Sequence, residues 1–228
     1  MFLSFSKKEK VRLDSLAKSL LLMELGQGFG WFDVSRFDGN RILAPAEREA
    51  LRANLADFFV VLVYFLLLDR LVIAGPKINQ PTFGAEFYDG AVSAYMEVGL
   101  STDQAAAKVN TVLFEQGYLN ALTYEPEPLP GVDALLSSIP ESARKAATEL
   151  LHSWQEDLQK DAKQAGPFYQ LCRHFAKRTV EQLSGDKGFD GPRTMIALEC
   201  AHNLYRSTEA GVMALLKKVS VTLPPYQN

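Results

Sequence analysis

Two Glu-x-x-His pairs are the residues best spaced to do chemistry: Glu149-Leu-Leu-His152 and Glu199-Cys-Ala-His202. At i, i+3 on a helix, the carboxylate and the imidazole project from one face. The carboxylate can then bridge two metal ions while the imidazole caps one of them. A dimetal site (Fe or Mn) in a helical bundle needs two such pairs and a further glutamate from each of two other helices. Glu115, Glu181 and Glu24 are the candidates for those extra ligands.

The helices that would carry these pairs turn them away from a core. With about 100° between residues, the apolar stripe of a helix over 141–163 is Ala143, Ala147, Leu150, Leu151, Trp154 and Leu158. Glu149 and His152 point about 150° from its centre. On the last helix the stripe is Ala197, Cys200, Ala201, Leu204, Val212 and Leu215, with Glu199 nearly opposite and His202 about 110° off. His174 stands opposite Phe168, Cys172, Phe175, Ala176 and Leu183. All three histidines are therefore expected at the surface, and no cofactor is predicted. A dimetal or small-ligand helical-bundle enzyme using these pairs, with Glu149, His152, Glu199 and His202 as the metal ligands, is kept as the alternative reading.

A second cluster could bind rather than catalyse. Between Gly26 and Leu43 lie Phe29, Trp31, Phe32 and Phe37, among glycines and aspartates. Such rings can line a pocket or anchor an interface. They can equally form a satellite core that pins their own loop. Glu24 shares a face with Leu13 and Leu20, so it is either a buried carboxylate in need of a partner or a wet helix end. The chain has no nucleophile elbow, Walker loop, dinucleotide fingerprint or HExxH. Cys172 and Cys200 have no metal-finger spacing and read as buried thiols of a reducing compartment.

The positioning elements are helical throughout. Leu13, Leu16, Leu20 and Met23 give one stripe over about Ser6–Leu25. Pro45 opens a central helix that runs to about Ala74 and holds the unbroken apolar run Phe58–Leu68. Charged Asp57 and Asp69-Arg70 bound that run, which falls short of the roughly 20 residues of a membrane span. It reads as a helix buried on all sides. Further helices are expected over about 86–100, 102–123 after the capping cluster Ser101-Thr102-Asp103, 141–163, 167–183 and 192–219. Pro126, Pro128, Pro130 and Pro140 mark a connection over 125–140, and residues 221–228 an extended tail.

The expectation is a single all-α globular bundle over 1–228, of about six or seven helices around the central one. Composition agrees: 47% hydrophobic and 22% charged residues are values for a folded chain. A net charge of -3 argues against a nucleic-acid partner. The first residues carry no signal-peptide pattern, so a cytoplasmic location is expected. The leading functional expectation is a non-catalytic interaction or regulatory module, with a protein partner or a homo-oligomer. A lipid or membrane-surface binding bundle is the other alternative, and it requires a cavity beside Phe58–Leu68.

Overall fold

The computed structural model describes residues 8–26, 30, 32–39, 42–74, 78–121, 167–184 and 191–222. The expected helix over 141–163, the Pro-rich connection and the last six residues of the tail lie outside them. The fold is all-α. It comprises β1 (Glu9–Arg12), α1 (Leu13–Leu25), α2 (Pro45–Leu68), α3 (Gln80–Glu97), α4 (Thr102–Asn110), α5 (Tyr118–Ala121), α6 (Pro167–Ser184), α7 (Gly191–Lys218) and β2 (Val219–Thr222).

α2 is the axis. Every side chain from Phe58 to Leu68 is buried, as an apolar run without a polar face demands. Its start is held by Glu47, whose carboxylate accepts the Ala44 backbone N–H at 2.6 Å and also pairs with Arg193 of α7 at 2.9 Å. Its end continues as a π-helical turn, Asp69–Ile73. There Arg70 lies 3.2 Å from Asp69 and 3.7 Å from Glu209 of α7. Phe58 stacks on Phe175 of α6, and one hydrophobic core runs through the described elements.

Several boundaries differ from the sequence reading, each for a physical reason. The first helix starts at Leu13, because Glu9–Arg12 pairs in parallel with Val219–Thr222. That pairing turns Val11, Val219 and Val221 toward the core while Lys10 stays in water. It also ends α7 at Lys218. α3 starts at Gln80, not near Glu86. The Asn79 side chain accepts the Thr82 N–H at 2.9 Å, and Pro81 sits in the first turn, where its missing N–H costs nothing. α4 does not run on to residue 123. After the Ser101–Gln104 capping box it passes into a second π turn, Thr111–Glu115. Gly117 at φ 76° then breaks the helix before α5.

α1 and α3 cross closely at Gly90. A Cβ there would stand 2.3 Å from the Asp14 carbonyl oxygen and 2.9 Å from the Ala17 Cβ. At the same crossing the Glu86 carboxylate accepts the Asp14 backbone N–H, closing a helix start that Arg12 leaves without a side-chain cap.

Candidate functional site

The structure places the residues singled out from sequence in separate regions. Phe29, Trp31, Glu149 and His152 lie outside the described residues. Phe32 is buried and stacks on the half-buried Phe37 at 5.6 Å. The buried Asp38 carboxylate holds the same loop by accepting the Ile42 and Leu43 N–H groups at 2.6 and 3.1 Å. These two rings and Asp38 tie the loop to the start of α2, which is structural work.

The expected surface positions of two histidines are corrected. His202 is buried, its ring 6.4 Å from that of Tyr169 and 6.3 Å from that of Tyr205. His174 is half-buried, with Nε2 2.8 Å from the Gln116 carbonyl oxygen and its ring edge-on to Tyr118. One apolar stripe per helix was too narrow a rule for α7. This helix packs on α2 along one side and on α6 along another, so Ile196, Leu198 and Tyr205 are buried as well as Ala197, Cys200 and Leu204. Glu199 is half-buried, and burial raises its carboxyl above the usual range. Among the described residues no three potential ligands come together as a metal site. Burial also pushes up the thiols of Cys172 and Cys200.

Polar groups gather where α2 meets α4, α5 and α6. Lys108 pairs with Asp57 at 2.7 Å. Arg178 donates to the buried Tyr118 hydroxyl, and burial raises that phenol and that of Tyr95. The Tyr95 hydroxyl lies close enough to Asp57 to feel its charge, but has no hydrogen-bond partner among the described residues. With Tyr95 of α3, this cluster braces five elements around Phe58.

An open cavity of about 280 Å³ lies elsewhere, on the central helix. α1 and α7 both pack on α2 but barely touch each other, and the cavity lies between them. Phe59 and Val63, one helical turn apart, form the floor. Leu20, Met23 and Glu24 from the last turns of α1 make one wall, and Thr208, Gly211, Val212 and Leu215 of α7 make the other. Ser207, Ala214 and Lys218 complete the rim. The Thr208 hydroxyl donates back to the Leu204 carbonyl at 2.7 Å and is spent within the helix. Glu24 and Lys218 are the charged groups of the lining.

Two features stand out in the lining of this groove. Met23 continues the α1 stripe yet is 63% exposed, so a large apolar side chain stands at the rim without a cover among the described residues. Gly211 sits in the interior of α7, where glycine weakens a helix, and a Cβ there would meet nothing within 4 Å. Gly211 and Met23 were readable, but not as members of one groove. Comparison with known protein families, with curated proteins and with solved structures finds no match.

Proposed function

We propose that this chain is a non-catalytic helical binding module whose ligand is a small molecule with an aliphatic chain, seated between α1 and α7. The observation that supports this reading is the open groove floored by Phe59 and Val63. It is the cavity beside Phe58–Leu68 that a lipid-binding reading requires. The α7 wall from Ser207 to Lys218 is ~16 Å long at 1.5 Å per residue, room for a medium-length chain lying along the groove. An apolar wall with few polar groups is the lining expected of such a ligand. No helix among the described residues is long and apolar enough to cross a membrane.

Native mass spectrometry of the purified chain tests the reading, before and after incubation with saturated carboxylates of rising length. One ligand per chain is expected. Each added methylene should tighten binding by up to about fourfold until the groove is full. Affinity that does not depend on chain length, or the absence of any stoichiometric complex, would sink the proposal.

A further inference from the structure

The β1–β2 pairing brings together lysines from opposite ends of the chain, beside one end of the groove. In the register Glu9 faces Val219 and Lys10 faces Ser220, directly after Lys217 and Lys218 at the end of α7. Lys8 reaches the same place, its Nζ donating to the Leu216 carbonyl at 3.2 Å. Lys8, Lys10, Lys217 and Lys218 are all exposed, and Lys218 also lines the groove. No ion pair holds Lys10, Lys217 or Lys218 among the described residues, and Glu9 is the one acid of β1. Arg12, next along β1, is engaged by Asp14 at 2.9 Å and Glu86 at 3.8 Å. A chain with a net charge of -3 thus carries a local positive patch where an apolar channel ends.

We propose that the ligand of the groove is an amphiphile with an anionic head group, a carboxylate or phosphate. Its chain lies on Phe59 and Val63, and its head group sits at Lys217, Lys218 and the lysines of β1. This rests on the aliphatic-ligand reading above and goes beyond it by fixing the head group and the direction in which the molecule lies. Charge complementarity carries the choice. Lysine ammonium groups at the end of a helix favour an anion and also offset the negative end of the α7 dipole, which alone would repel one. The source is the dispersed molecule in water, because the groove offers one chain-sized channel.

The test is calorimetric titration of the full chain with decanoate, decanol and decyltrimethylammonium, the two ions below their critical micelle concentrations and decanol below its solubility limit. Decanoate is expected to bind roughly fivefold or more tightly than decanol, with the ammonium weakest, and the preference should shrink at high salt. The double variant Lys217→Glu, Lys218→Glu changes only exposed residues, and it should invert the order so that the ammonium binds best. Equal affinity for all three probes would overturn the head-group assignment and leave the aliphatic reading standing. A preference for the ammonium in the unmodified chain would overturn it too. Binding of none of the three would overturn both.

Discussion

Two glycines inside helices show how differently the two sides of α1 are built. Gly90 of α3 lies on the filled side, where an added Cβ would meet the Asp14 carbonyl oxygen at 2.3 Å. Gly211 of α7 faces the open side, where an added Cβ would meet nothing within 4 Å. Each glycine costs its helix about 1 kcal/mol relative to alanine. At Gly90 that cost is returned by a close helix crossing. At Gly211 no close packing among the described residues offsets it, and the space beside it stays open.

The sharpest break of this comparison is Gly90→Ala. The obstruction is backbone, which cannot swing aside as a flexible side chain would, so α1 and α3 must separate. A loss of at least ~2 kcal/mol is expected even after the gain in helix propensity, seen as a lower urea midpoint. A midpoint equal to that of the unmodified chain would show that the crossing is looser than the structure has it.

The same logic on the open side gives effects of the opposite kind. Gly211→Phe adds a ring to the groove wall and leaves the floor residues Phe59 and Val63 unchanged. It should weaken decanoate at least tenfold, by about 1.4 kcal/mol or more, and leave the thermal midpoint of the free protein unchanged or higher. Unaltered binding would mean that the ligand lies elsewhere. Gly211→Ala should stabilise the free protein by about 0.5–1 kcal/mol, because it removes backbone freedom from the unfolded chain and meets no obstacle in the folded one. A destabilised Gly211→Ala would show that the groove wall is closed in solution, and the contrast between the two glycines would disappear.

What could be read from the sequence divides along similar lines. The burial of α2 was legible because Phe58–Leu68 has no polar face to turn outward. The start of α4 was legible because Ser101 and Gln104 form a cap through residues three apart. Features that depend on distant partners were not. The β1–β2 pairing joins segments whose local pattern is weak, so the lysine patch it assembles was invisible in the sequence. The burial of His202 depends on Tyr169 of another helix. The floor of the groove was legible as apolar residues. Its openness was not, since that follows from the separation of α1 and α7 over a third helix.

The smallest expected effect tests the filled side through charge. Glu86 has one oxygen on the Asp14 N–H and the other buried without a hydrogen bond. Its carboxyl is raised above the usual range, first by burial and then by the charge of Asp14, against the weaker pull of Arg12. A carboxyl raised on folding binds its proton more tightly in the folded chain. Its contribution therefore favours the fold below the unfolded value of about 4.5, and is lost as pH rises through the higher folded value. Near neutral pH the charged form is the strained one. Glu86→Gln keeps an acceptor for the Asp14 N–H and removes the charge. Its stability at pH 7 should equal or exceed that of the unmodified chain by a few tenths of a kcal/mol. The difference should vanish or reverse near pH 4. Urea midpoints of the two proteins across that range decide it. A variant that is weaker at pH 7 would show that the Arg12 ion pair, 55% exposed on the arginine side, outweighs the desolvation of the carboxylate it faces.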